Sequence, residues 1–210
     1  MMSMHLLIRT SLLVVALAGS ACASTSSIRW NRSPDATGSL APTVFVMEPL
    51  INGSAAPGNA GRDFPAVKRQ VRERLLTIVS HRSTVVNAVV TPYQRVPAPA
   101  GYPDAIGGAR VTEEERNAAK AALESGATHL LVPTILEWTE MRTDDPVGAF
   151  ILPHTHVAIE LRLMRLQQRP ALAGDVVFKN RARLTLNQSP MKLLDDSFRG
   201  VVLQLVSGRK

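Results

Sequence analysis

The chain has 210 residues, of which 45% are hydrophobic and 4% aromatic, a balance that suits one globular domain with some sequence outside it. Its 24 Lys and Arg against 17 Asp and Glu give a formal net charge of +7, but the basic residues are spread along the chain. Nucleic-acid binding calls for a basic stripe with stacking aromatics, and the chain has only two Trp, two Tyr and five Phe. We therefore expect no nucleic-acid partner.

Residues 1–21 predict an export signal. Arg9 supplies the positive charge, residues 11–18 form an apolar core, and small residues follow. That core is far shorter than the roughly 20 residues that a membrane-spanning helix needs. The only cysteine, Cys22, comes directly after the small residues, which resembles the lipidated cysteine of bacterial lipoproteins. This resemblance implies a fatty-acid (palmitate) anchor at Cys22, and an outer-membrane location facing the periplasm, since no Asp follows the cysteine.

An alternative cleavage leaves a soluble periplasmic protein. Gly19 stands where the lipoprotein pattern prefers Leu, and the sequence from Ala21 to Ala23 also fits the small-x-small rule of ordinary signal peptidase. In either case residues 22–41, rich in Ser, Pro, Gly and Asn, predict a flexible tether before a domain at 42–207. Trp30 and Ile28 are unusual in a tether, and we expect them to dock on the domain.

The domain is predicted to be α/β, with helices packed on a mixed sheet in the order β-α-β-α-β-β-β-α. Two βαβ crossovers give a parallel core, which the late strands extend in the antiparallel sense. The predicted strands are 43–47, 84–90, 130–136, 154–166 and 176–184, and the predicted helices are 64–78, 113–123 and 190–205.

The segment 130–136 is apolar at both odd and even positions, which predicts a strand buried on both faces. The helix before it begins with a capping box, Thr112 and Glu115, and ends at Gly126, a suitable left-handed residue. In the following hairpin, His156, Glu160 and Arg162 are predicted to face solvent, with Glu160 near Arg181.

Two regions are candidates for contact with a partner protein. The first is the long Pro- and Gly-rich loop 92–110, because long loops in compact domains are commonly functional. The second is the end of the central strand and the loop 139–152 beyond it, since ligands often bind at strand ends. The predicted contact residues are Tyr93, Tyr102, Glu137, Trp138, Glu140 and Arg142.

The alternative site is a small-ligand or metal site around Trp138, His154 and His156, because two histidines on one strand face suit a metal. No spacing identifies the third ligand, for which His129, Glu160 and the pair Asp144 and Asp145 are the candidates. The chain has no nucleophile elbow, phosphate-binding loop, dinucleotide fingerprint or zinc-protease motif, so we expect no cofactor and no enzyme activity. A cryptic envelope hydrolase is a further alternative.

The segment 126–138, GATHLLVPTILEW, resembles the signature of small bacterial lipoproteins grouped as domain of unknown function 4823. The resemblance extends over residues 42–206 and departs from the family pattern after Trp138. It implies a location and a fold but no mechanism, because the family has no established activity. The element order is also similar to the periplasmic domain shared by the curli secretion lipoprotein CsgG, the penicillin-binding-protein activator LpoB and the N-terminal domain of TolB. By that resemblance we expect a protein-binding domain of the cell envelope.

Overall fold

The computed structural model describes residues 25–32, 43–52, 64–81, 85–86, 104–106, 109–139, 154–166, 171–183, 189–194 and 196–207. The helices are α1 (Phe64–Ser80), α2 (Glu113–Glu124), α3 (Pro190–Leu193) and α4 (Asp196–Ser207). The strands are β1 (Thr25–Arg32), β2 (Val44–Val46), β3 (Leu50–Ile51), β4 (Val85–Val86), β5 (Ala105–Ile106), β6 (Ala109–Arg110), β7 (His129–Thr139), β8 (His154–Arg165) and β9 (Ala171–Arg183).

The fold is a mixed α/β sheet with helices packed on it, as predicted, and the helices lie on both faces. Strands follow one another across the sheet as β1-β9-β8-β7-β2-β4, and β3 also pairs with β7. β2 is parallel to both β4 and β7, whereas β8, β9 and β1 are added antiparallel. Helices α1 and α2 precede β4 and β7 respectively, which suits parallel strands because they need long crossover connections. Pro49 separates β2 from β3, and both short strands pair with β7.

Strand β7 is buried on both faces, as its continuous apolar sequence predicts. Leu131 and Ile135 point into a cluster formed with α1, α3 and α4, which we call the first core. Leu130 and Val132 point into a second cluster formed with α2, which we call the second core. The two cores lie on opposite faces of the sheet because side chains alternate along a strand.

Helix α2 begins and ends as its sequence predicts. The Thr112 hydroxyl accepts a hydrogen bond from the backbone N–H of Glu115 at 3.1 Å. At the other end Gly126 has φ of 79°, and the N–H groups of Gly126 and Ala127 donate to the carbonyls of Leu123 and Ala122. This is a Schellman motif, in which only glycine adopts the left-handed conformation without strain. It turns the chain directly into β7.

The predicted tether is wrong over residues 25–32. These residues form β1, which pairs antiparallel with β9, so the folded sheet begins well before residue 42. The Trp30 side chain packs against the first core, as expected of a residue that docks on the domain, whereas Ile28 stays 45% exposed. The alternation of Ile28 and Trp30 with polar residues suits an edge strand with one covered face. The rest of the predicted tether lies outside the described residues.

The predicted final helix is divided into α3 and α4. The sequence from Asp195 to Ser197 contains residue types that favour the beginning of a helix, which accounts for the new start. Side chains supply hydrogen bonds to the backbone where the helix is interrupted. The Asn180 amide donates to the Leu193 carbonyl at 2.9 Å, and Arg74 donates to the Leu194 carbonyl at 3.4 Å. The predicted apolar residues of α4 are nevertheless buried, and Phe198 packs edge-on against Phe178 at 5.1 Å.

Candidate functional site

The second face of the sheet is covered at one end only. Helix α2 lies over the part of this face that contains Leu130 and Val132, and none of the described helices covers the part beyond it. Charged and polar side chains from four neighbouring strands occupy that uncovered part, and we call them the polar ladder. Its members are Arg29 of β1, Glu137 of β7, His156 and Glu160 of β8, and Lys179 and Arg181 of β9.

Glu137 is the centre of the polar ladder. The strand register places Glu137, Ala158 and Lys179 side by side on β7, β8 and β9. Glu137 and Lys179 therefore lie two strands apart, roughly 10 Å between backbones. Their charged groups still meet at 3.6 Å because the residue between them is the small Ala158. The other carboxylate oxygen of Glu137 lies 4.0 Å from Nδ1 of His156.

The polar ladder is open to solvent. The side chains of Glu137 and Lys179 are 48% and 53% exposed, and Arg29 and Arg181 are exposed as well. An ion pair at this exposure contributes about 0.2–1 kcal/mol to stability. The pair is therefore a minor contribution to folding, and its charges are accessible to a partner molecule.

Trp138 lies in the first core and is 3% exposed, so its side chain is not at the surface of the described structure. A β-bulge is the physical reason. The pairing of β7 with β8 joins Ile135 to Ile159 and then Glu137 to Ala158, which leaves Leu136 as an extra residue. One extra residue reverses the faces that later side chains take. Trp138 consequently joins Ile135 in the first core, and Glu137 turns to the opposite face.

The predicted hairpin of β8 and β9 is confirmed, but one predicted pairing is wrong. Glu160 lies opposite Val177, and the residue opposite Arg181 is His156. The difference has a simple cause: strand alternation specifies which face a side chain takes but not which residue it meets across the hairpin. The connection between the two strands determines that register.

Arg162 is buried, so the prediction that it faces solvent is wrong. Its side chain is 8% exposed and donates a hydrogen bond from Nη2 to the carboxylate of Glu115 at 3.0 Å, and the Glu115 side chain is fully buried. Alternation along β8 places Arg162 on the second face, but α2 covers that end of the face. The sequence identified Glu115 as part of a capping box, and no local pattern relates it to an arginine 47 positions away.

Basic side chains on α1 bind to their own domain. Lys68 forms an ion pair with Glu48 at 3.3 Å, and Arg72 donates to the Val46 carbonyl at 3.1 Å. These contacts satisfy polar groups at the end of β2. Together with the Arg74 contact to Leu194, just after α3, they hold the basic side chains of α1 against the domain. This helix surface is therefore a weaker candidate for an anionic partner than the polar ladder.

His129 is separated from the other histidines. It lies at the start of β7 and His156 pairs with the residue at the end of β7, ten positions away, which corresponds to about 33 Å along a strand. Burial and then the positive charge of Arg165 lower the pKa of His129 below its ordinary value of 6.5. Because the Thr128 hydroxyl donates to the Thr43 carbonyl, we assign the proton of His129 to Nδ1, which donates to that hydroxyl at 2.9 Å.

The structure changes which side chains are candidate ligands for the alternative metal site. Glu137 lies close to His156, whereas His129 is too distant to be a ligand. His154 is on β8 two residues before His156, and Glu160 is about 13 Å from His156 along the same strand. Within the described parts of the chain, no group of three His, Cys, Asp or Glu side chains is arranged to hold a metal ion.

Several predicted site residues lie outside the described residues. They are Cys22, Tyr93, Tyr102, Glu140, Arg142, Asp144 and Asp145. Within the first predicted contact region, 92–110, β5 and β6 pair as two short antiparallel strands, so this part is not a loop. Asp104 beside them is ion-paired with Arg116 of α2. Among the described helices, none has both the length and the apolar character to cross a membrane.

Two solved structures share the fold at low sequence identity, and a third resembles the chain more weakly. PelC from Paraburkholderia phytofirmans, solved as a dodecamer, is 11% identical with a TM-score of 0.52, and the likeness covers 88% of this chain and 100% of PelC. The hypothetical protein CT253 from Chlamydia trachomatis is 10% identical with a TM-score of 0.50, covering 80% and 96%. The lipoprotein GNA1162 from Neisseria meningitidis is 16% identical with a TM-score of 0.37, covering 78% and 96%. No protein-family model and no curated protein matches the chain, so the expected family and the likeness to CsgG, LpoB and TolB stay predictions.

Proposed function

We propose that the chain is a lipid-anchored protein of the cell envelope whose domain binds another protein and catalyses no reaction itself. The anchor is supported by the sequence of residues 1–22, in which the only cysteine follows a short export signal. A lipid-anchored domain at the outer membrane faces the periplasm, where an accessory protein meets its partners.

The observation that carries the binding role is the uncovered polar ladder. The axes of the four strands β1, β9, β8 and β7 span about 14 Å, so the ladder is a broad surface on a rigid sheet. Charged groups on such a surface give specificity and speed of association with a complementary protein surface. A second copy of the chain is one partner of this kind, since PelC, which shares the fold, forms a dodecamer.

The lipid anchor is tested by labelling growing cells with radioactive palmitate. The full-length chain should take up the label, and Cys22→Ser should not, because no other cysteine is present. Equal labelling of the two proteins would contradict the anchor. Fractionation of the outer and inner membranes from the same cells then tests the predicted location.

The binding surface is tested by photo-crosslinking in cells. A photoreactive amino acid at Arg29 places the reporter on the exposed part of the polar ladder, and the same replacement at Arg69, exposed on α1, is the matched control. Under this proposal the Arg29 variant captures a protein that the Arg69 variant does not capture. If both variants capture the same proteins in the same amounts, the polar ladder is not the binding surface.

A further inference from the structure

The distance from the lipid anchor to the sheet is short. β1 begins at Thr25, three positions after Cys22. Consecutive Cα atoms are 3.8 Å apart, so these three steps extend over about 11 Å at most. If residues 22–41 were all a tether, the same estimate would allow the domain to stand off the membrane by roughly 75 Å at most.

The register of the sheet shows which residues share this end. Thr25 pairs with Arg181 of β9, Arg181 pairs with His156 of β8, and His156 pairs with Thr139 of β7. The next pair outward joins Arg183 to His154. The start of β1 therefore lies in one row with the end of β9, the start of β8 and the end of β7, and we call this row the anchor end of the sheet.

Strand pairing keeps the anchor end close to the lipid. β1 is paired with β9 over most of its length, and Trp30 packs against the first core, so the beginning of β1 is fixed to the domain. The membrane must therefore be near Arg181 as well as near Cys22, since Arg181 is directly opposite Thr25. Neighbouring strands are about 4.8 Å apart, which places Arg181 within about 16 Å of Cys22.

The charge of the anchor end suits a bilayer surface. Arg181 is exposed, and Lys179 lies one row further in and is half exposed. Basic side chains close to an anionic bilayer surface are attracted to its phosphates.

We propose that the anchor end of the sheet lies on the bilayer, with Arg181 against the phosphates of phospholipid headgroups. The proposal rests on the lipidation of Cys22 proposed above and adds an orientation to it. The sheet formed by β7, β8, β9 and β1 then extends away from the membrane, and the polar ladder lies close to the bilayer. A partner of the polar ladder approaches along the membrane surface, and β7 ends at Thr139 next to the headgroups.

Photo-crosslinking to lipid tests this orientation in the full-length chain. A photoreactive amino acid replaces Arg181 in one variant and Arg165 in the control, which is an exposed arginine nine positions along β8 from His156, or about 30 Å away. After illumination of cells with radioactive phosphate in their lipids, the Arg181 variant should carry labelled phospholipid and the Arg165 variant should carry none above background. Equal labelling of both, or labelling of neither, overturns the orientation, as does capture of protein alone at position 181.

A second variant separates the short connection from other causes. Fifteen Gly and Ser residues inserted between Ala23 and Ser24 leave Cys22 and the sheet unchanged but introduce a flexible tether, and lipid capture at position 181 should then be lost. Retention of capture would overturn the proposal. Palmitate labelling is measured in every variant: normal labelling without lipid capture contradicts the orientation only, whereas absence of palmitate contradicts the anchor and the orientation together.

Discussion

Glu115 and Arg162 form an ion pair in a place where an unpaired charge would be costly. Both side chains are buried, and they join α2 to β8 beneath the second core. Two other guanidinium nitrogens of Arg162, Nε and Nη1, are buried without a hydrogen-bond partner in the described structure. Replacing a whole buried ion pair with apolar residues is often neutral or stabilising, whereas removing one partner is strongly destabilising.

We therefore expect Glu115→Leu to lower the free energy of unfolding by about 3–5 kcal/mol, because it leaves the Arg162 charge buried and unpaired. Adding Arg162→Met should restore most of that loss. Urea unfolding of the two single variants and the double variant measures the coupling, with Glu114→Leu as a control at an exposed position of the same helix. Additive effects of the two substitutions would show that the pair is not coupled.

His129 makes the stability of the domain depend on pH. Its pKa in the folded state is lowered below 6.5 by burial and by the charge of Arg165, so the unfolded chain binds this proton first when the pH falls. Stability must then decrease as the pH falls below about 6.5, and the decrease ends once the pH is below the folded-state pKa.

The measurement compares wild type with His129→Gln in thermal unfolding at pH 7.5 and pH 5.5. We expect the Tm of the wild type to fall further than that of the variant, because glutamine does not titrate. Other groups titrate equally in both proteins, so the difference between the two decreases belongs to His129. Identical decreases would show that His129 is not responsible for the pH dependence.

Strand β1 is a mainly polar segment that becomes part of the sheet by pairing with β9. Ile28 and Trp30 are on the same side of β1, opposite Phe178 and Val176 of β9. Trp30 packs against the first core, whereas Ile28 is 45% exposed. Two apolar residues on one strand face thus differ in what they contribute.

Alanine substitution distinguishes the two positions. We expect Trp30→Ala to lower the free energy of unfolding by about 2–3 kcal/mol, because part of a large ring leaves the core, and Ile28→Ala to lower it by less than about 1 kcal/mol. Chemical unfolding followed by circular dichroism gives both values. If the two variants lose the same stability, β1 does not dock through Trp30.

The sequence predicted elements better than it predicted sites, and particular residues explain why. The apolar run of β7, the Thr112 cap and Gly126 are local signals, and the structure follows each of them. The burial of Trp138 depends on a bulge, and that of Arg162 depends on a helix from elsewhere in the chain. Both depend on tertiary packing, which cannot be predicted from the alternation of side chains along one strand.

At the scale of the whole molecule, β7 is the strand on which both cores depend. Leu131 supports the packing of α1 and α4 on one face, and Leu130 supports that of α2 on the other. In a sheet with one solvent-exposed face, only one of two neighbouring strand positions is buried, and alanine substitution at the other position is tolerated. Burial on both faces instead makes the two positions equally sensitive, because each substitution leaves a cavity in a different core.

We expect Leu130→Ala and Leu131→Ala each to lower the free energy of unfolding by about 2–5 kcal/mol, whereas Leu123→Ala, at an exposed position of α2, should cost under about 1 kcal/mol. Circular dichroism follows both layers of helices and Trp138 fluorescence follows the first core alone, in a Trp30→Phe background. The two signals should change at the same urea concentration in every variant, because the shared strand couples the cores into one cooperative unit. Separate transitions in Leu130→Ala would mean that the second core unfolds on its own, and β7 would then not be the element that unites the domain.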